Sequence, residues 1–149
     1  MDKDTIVKDA GDNELMKFLG VRIVEVTDEK VVLEMEVTPK VHQYVGIMHG
    51  GVSLYLSKTA ASIGAVANAD LGKVTPVGVE INGNHVRAVG KGTLTVTSVP
   101  VFTGRTMAVW QTEIRNDKDK LVCTSRCSFL LQRKPAFQSD FPEKGKTNN

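Results

Sequence analysis

Charge, sulfur and long apolar runs are all scarce in this chain, and each scarcity removes a class of function. Among 149 residues the 19 Lys and Arg outnumber the 17 Asp and Glu by only two, a formal charge of +2. The basic residues are scattered, which argues against a nucleic-acid surface. The longest apolar stretch, around residues 60–67, is far too short to span a bilayer. The opening Met1-Asp2-Lys3-Asp4-Thr5 has no apolar core of signal-peptide type. A cytoplasmic protein without a membrane partner is therefore expected. Cysteine is limited to Cys123 and Cys127. On a strand these face the same side roughly 13 Å apart, too far for a disulfide, so two buried reduced thiols are expected. Three histidines without metal-type spacing make a zinc site improbable. One absence is local: no Asp or Glu occurs from Lys40 to Ala69, and the only formal charge from His49 to Ala69 is Lys58.

Apolar residues at 41% and charged residues at 24% describe a globular chain long enough for one domain with a real core. Asp12-Asn13 opens and Gly20 closes a short helix. Residues 21–26 and 31–37 read as strands on either side of Thr27-Asp28-Glu29-Lys30. Pro39 ends the second, and a loop of about ten residues leads to His49-Gly50-Gly51. The glycine pair opens a helix over about Gly50 to Asn68 that is apolar on nearly every side, which predicts a buried helix. Its small residues Ala60, Ala61, Gly64, Ala65 and Ala67 would let a sheet approach closely. Four further strands are expected over about 74–86, 93–103, 106–115 and 121–131, with a hairpin turn at Asn116-Asp117-Lys118-Asp119. The pattern divides into an N-terminal segment (1–11), a domain (12–132) and a polar, loosely ordered tail (133–149). Six strands wrapped around one long helix make an α+β fold with a mainly antiparallel sheet, the hot-dog layout.

Over roughly residues 12–132 the chain resembles the hot-dog acyl-CoA thioesterases of the phenylacetate-degradation, 4-hydroxybenzoyl-CoA and 1,4-dihydroxy-2-naphthoyl-CoA group. Gln43, Gly46, His49-Gly50-Gly51 and the helix after them carry the resemblance, with Val77-Gly78-Val79-Glu80-Ile81-Asn82-Gly83-Asn84-His85-Val86-Arg87, Trp110-Gln111-Thr112-Glu113-Ile114 and Cys123-Thr124-Ser125-Arg126. It implies hydrolysis of an acyl- or aryl-CoA thioester to the acid and free CoA, with no cofactor beyond the coenzyme A of the substrate. The backbone N–H of Gly50 would polarise the thioester carbonyl, as a helix start offers unpaired donors to a developing oxyanion. Gln43 and His49 would flank the thioester, and Ser62 would orient the attacking water. The family's carboxylate, nucleophile or general base, falls nine positions after the histidine. Here that position is Lys58.

A protonated lysine has no lone pair with which to attack a carbonyl or accept a proton from water; a neutral one requires a pKa lowered by several units. The chain is therefore expected to be an impaired hydrolase. Two origins are open: a charge reversal introduced to stop turnover, and a natural divergence that kept the fold. A solvated surface position for Lys58 is a third reading, disfavoured by its apolar neighbours. A non-catalytic acyl-CoA binding or sensing protein is the alternative function; a hot-dog dehydratase is discounted because the acidic and histidine pattern of its central helix is missing.

Gly50 and Lys58 are separated by about 12 Å of helical rise, so one carbonyl cannot touch both in the same chain. The spacing predicts a homodimer with two sites at its interface, and the resemblance implies a homotetramer built from two dimers. The same resemblance puts Gly51, Asn84, His85, Arg87 and Lys91 near the pantetheine and nucleotide arm of CoA, where Arg87 or Lys91 could meet phosphate. An exposed basic strand end is the competing reading. Arg105 is most simply a hairpin residue, with phosphate contact the weaker option. His49 has a second reading as a helix cap and Gln43 as an ordinary loop residue, while Trp110 and Phe129 are expected in the core. The acyl pocket is expected between residues 57–62 of the helix and the loop before Gly46.

Overall fold

The computed structural model describes residues 2–134. Helix α1 spans Lys3–Gly11, capped by the Asp2 side chain, which accepts from Thr5 N–H. Sequence reading left this segment without an element. Its outward residues are polar, and Ile6 is the one side chain it buries. Helix α2, Glu14–Leu19, follows as expected, with the Asn13 side chain accepting at its start and Gly20 in the left-handed conformation at its end. Strands β1 (Arg22–Val26) and β2 (Val31–Glu36) lead through a 3-10 turn at Pro39–Val41 to helix α3, Gly50–Asn68. Strands β3 (Val74–His85), β4 (Thr93–Thr103), β5 (Met107–Arg115) and β6 (Leu121–Arg133) complete the chain. Of the polar tail expected over 133–149, residues 135–149 lie outside the described residues. Among the described residues no helix is long and apolar enough to cross a membrane.

The six strands form one sheet in the order β1-β2-β4-β5-β6-β3, every neighbouring pair antiparallel. The order leaves β1 and β3 as its two edges. Alternation in sequence becomes alternation in space: Leu94, Val96 and Ser98 of β4 and Ala108, Trp110, Thr112 and Ile114 of β5 point to the buried face. The predicted turn closes the β5–β6 hairpin. Its Asn116 Oδ1 accepts from Lys118 N–H and Lys120 N–H at 3.0 Å each, and Asp119 takes φ +57°. Helix α3 lies across the curved sheet. At Gly64 the missing side chain lets the Trp110 indole sit directly against the helix. Trp110 and Phe129 are in the core, as expected, in a cluster with Ala61, Ala65, Ala108 and Cys127. Cys123 and Cys127 are both buried and unbridged.

One expectation is met only in part. Helix α3 is apolar nearly all round, yet a single chain does not enclose it. Leu56, Ala60, Ala61, Gly64 and Ala65 are buried, but Gly51 and Lys58 are exposed and Val52, Leu54, Tyr55, Thr59 and Ser62 only half-buried. The sheet covers one side, and α1 and α2 cover part of the other. What remains is a mixed face, from Gly51 and Val52 through Tyr55, Lys58 and Thr59 to Ser62, that the single chain leaves partly open.

Candidate active site

The helix start is built by a chain of backbone ties. Gln43 N–H donates to Ile47 O at 2.8 Å and Gly46 N–H to Gln43 O at 3.0 Å, closing a tight loop in which Gly46 takes φ +80°. That loop is fastened to the segment after β3 by Met48 N–H to Val89 O at 2.7 Å and by His42 Nε2 against Gly90 O at 2.8 Å. His49 N–H then donates to Val41 O at 2.8 Å, fixing the residue that begins α3. His49 is the N-cap: its Nδ1 accepts from Gly51 N–H at 2.8 Å. An accepting Nδ1 puts the proton of the neutral ring on Nε2, which faces outward as a donor. The cap reading of His49 is met, and capping leaves Nε2 free to donate.

Gly51 N–H is taken by His49 Nδ1 and Val52 N–H by His49 O at 3.0 Å. Gly50 N–H has no acceptor among the described residues. It is an open donor at the positive end of a 19-residue helix. The imidazole of His85 packs on Gly50: a β-carbon there would stand 3.1 Å from His85 Nε2. Asn84, Arg87 and Lys91 are exposed on the same end of the molecule, with Arg87 Nε donating to Leu121 O at 3.3 Å. Gln43 is half-buried on the neighbouring loop. His49, Gly50, Gly51 and His85 are therefore brought together by one chain.

Lys58 and Ser62 form a second group, further along α3. They line a cavity of about 420 Å³ between α3 and the two N-terminal helices, with Tyr55, Thr59 and Ile63 from α3 and Leu15 and Met16 from α2. Lys58 is exposed in the protomer, so its place in an apolar helix does not bury it. A β-carbon at Gly78 of β3 would lie 2.7 Å from Lys58 Nζ, so the ammonium rests against that strand. Burial raises the Tyr55 phenol above its ordinary pKa, with the Thr59 hydroxyl pulling the other way. Burial also raises the Cys127 thiol, opposed by the Lys58 cation and reinforced by Glu80. The loop before Gly46, expected to wall this pocket, does not line it; α1 and α2 do.

Thr59 falls within the expected 57–62 wall, whereas sequence reasoning missed Tyr55 and Ile63. With Lys58 and Ser62 they share one face at helical spacing, a signal present in the sequence. Arg105 lies apart from both groups. It borders a cavity of about 800 Å³ at the far end of α3, with Asn68, Lys73 and Arg133, about 27 Å along the helix from Gly50. Among the described residues no group of three or more His, Cys, Asp or Glu could hold a metal.

Comparison with known proteins gives a consistent picture. The sequence pattern of the thioesterase superfamily matches residues 45–123. The chain is 39% identical over 120 residues to a 1,4-dihydroxy-2-naphthoyl-CoA hydrolase of Listeria monocytogenes, covering 80% of this chain and 97% of that one. It is 36% identical over 123 residues to a protein of the same name from Escherichia coli, covering 81% and 88%. The crystal structure of a thioesterase from Haemophilus influenzae superposes with a TM-score of 0.81 at 32% identity, covering 89% of this chain and 92% of that one.

Proposed function

The chain belongs to the thioesterase superfamily, and from that premise we propose that it is an acyl-CoA thioesterase whose two active sites lie across a homodimer interface. The open Gly50 N–H carries this reading. A thioester carbonyl seated there gains negative charge as water adds, and a preorganised donor at a helix start stabilises that charge more than it stabilises the ground state. His49 Nε2–H and Gln43 would flank the same point and hold the substrate in place.

Lys58 of one protomer reaches that carbonyl only if the Gly50 belongs to the other, given about 12 Å of rise between them. Two features favour such pairing. Strand β3 is a 12-residue sheet edge with Val79, Glu80, Asn82 and Asn84 exposed, an unpaired ladder that an identical strand can complete. The partly open face of α3 that carries Lys58 lies alongside it. Two such dimers would assemble into a tetramer. His85, Arg87 and Lys91 beside the helix start would meet the pantetheine and phosphates of CoA; Arg105 would take part only if a partner brings it there. The free, buried thiols fit a reducing cytoplasm.

Lys58 stands where a base or nucleophile is needed, and no carboxylate lines the cavity around it. Hydrolysis by this chain is accordingly slow, on the order of 10²–10⁴-fold below that of a form with a carboxylate at the position. The same observation favours a second reading, an acyl-CoA binding protein that no longer turns over. Lys58→Glu separates the two: regained hydrolysis supports an enzyme disabled at one residue. The Gly50 assignment has its own test. Gly50 is the first helical residue, where proline fits the backbone and removes the N–H; because its ring also presses on His85, Gly50→Ala, which adds only a β-carbon and keeps the N–H, is the control. Adding Gly50→Pro to Lys58→Glu should lower kcat about 10²–10³-fold with KM little changed. An unchanged kcat would remove Gly50 from the mechanism.

A further inference from the structure

We infer that the cavity at the far end of α3 is an anion site for a ligand bearing a diphosphate, such as a nucleoside diphosphate. It measures about 800 Å³, more room than a bare phosphate needs and within the usual range for a small-molecule pocket. Four cations line it, Lys73, Arg105, Arg133 and Lys134, against one acid, Asp70. That acid is already committed: one Asp70 oxygen lies 2.8 Å from Lys73 Nζ, and the other accepts from Gly72 N–H at 3.1 Å. Among the described residues no carboxylate lies within ion-pair distance of Arg105, Arg133 or Lys134.

Backbone ties hold these residues around one hollow. Leu131 N–H donates to Thr106 O at 2.9 Å, fastening β6 to the β4–β5 turn that carries Arg105, and Gly104 N–H to Met107 O at 2.8 Å closes that turn. Lys134 N–H donates to Lys73 O at 3.0 Å and Val74 pairs with Arg133, so the end of β6 stands beside the start of β3. The carbonyl end of α3 also borders the cavity and disfavours an anion there. The phosphates therefore belong beside Arg105, Arg133 and Lys134. Two guanidinium groups suit a diphosphate, since each presents a planar fork to a pair of phosphate oxygens. Thr103 adds a hydroxyl, and Val74 and Leu131 give an apolar wall for the body of the ligand. A free nucleotide carries this diphosphate chemistry, and so does the CoA of a thioester seated in a partner's site; the test separates the two sources.

The test is calorimetric titration with pyrophosphate, ADP and adenosine. The intact chain is compared with one variant carrying Arg105→Ala and Arg133→Ala and another carrying Arg105→Lys and Arg133→Lys. Both arginines are exposed, so neither variant threatens the fold. ADP and pyrophosphate should bind the intact chain, ADP on the order of ten-fold more tightly than adenosine. The alanine variant should weaken ADP by on the order of ten-fold or more, and the lysine variant should recover part of that loss. Failure of both phosphates to bind, adenosine binding as tightly as ADP, or an ADP affinity unchanged in the alanine variant overturns the inference. Repeating the ADP titration on protein saturated with CoA reads the source. ADP that still binds marks a site for free nucleotide; ADP displaced, with CoA itself weakened by the alanine variant, marks the nucleotide arm of the partner's substrate. CoA that binds where ADP does not removes this site and leaves the acyl-CoA reading standing.

Discussion

Replacing Gly64 by alanine tests the packing that holds α3 to the sheet. Two effects oppose each other. Alanine in a helix interior is favoured over glycine by about 1 kcal/mol. Against that, a β-carbon at Gly64 would stand 2.9 Å from Trp110 Cζ2 and nearer still to Cζ3 and Cη2, where carbon atoms rest at roughly 3.5–4.0 Å. The indole cannot swing away, because Trp110 is 1% exposed and packs among Ala61, Ala65, Cys127 and Phe129. Helix and sheet must separate, and overpacking of this kind costs about 3 kcal/mol, the upper part of the usual range. The net loss is about 2 kcal/mol, which lowers Tm by roughly 4–8 °C for a chain of this size. The assay is thermal and urea unfolding of both forms at one protein concentration, since assembly couples to stability. Trp110 is the only tryptophan, so its near-ultraviolet dichroism reports the displacement directly. A variant as stable as the parent with an unaltered tryptophan signal would refute the reasoning.

Three further outcomes follow from the geometry. Ser57 Oγ is buried without a hydrogen-bond partner; Ser57→Ala should raise the urea midpoint, gaining about 1 kcal/mol. His49→Ala removes the acceptor of Gly51 N–H and should cost about 1 kcal/mol of stability by loss of the cap, measured by urea unfolding. Burial raises both thiols above the ordinary thiol range. The unfolded chain releases those protons first, so stability present below about pH 9 should decline as pH rises through the folded values. Urea midpoints at pH 7.5 and 10, compared with a variant carrying Cys123→Ala and Cys127→Ala, check this: the parent should lose more.

The sequence made α3 legible from Gly50 to Asn68, because a histidine cap, two glycines and a long apolar run mark one end and Asp70 and Gly72 follow the other. The strands were legible from alternation, with ends displaced by a residue or two where β1 and β2 start and stop and where β6 runs on to Arg133. Helix α1 was not, since its few apolar side chains gain meaning only from packing on α3. Helix α3 misled in the opposite direction: composition records that a face is apolar, not whether the same chain covers it. The distance between Arg105 and the Arg87–Lys91 segment was equally invisible, because both follow hairpin-like glycines and only the sheet order sends them to opposite ends. The helix start fared best, its geometry being set by local residues: His49 caps it through Nδ1, and the His85 imidazole packs on Gly50.

The most direct test of the account is release of free CoA thiol from a panel of aryl- and medium-chain acyl-CoA esters, measured side by side for this chain and for Lys58→Glu. The account predicts little or no release by the chain and a rate on the order of 10²–10⁴-fold higher for Lys58→Glu with at least one ester. Equal rates in the two forms would contradict it, because the reacting group would then lie somewhere other than position 58.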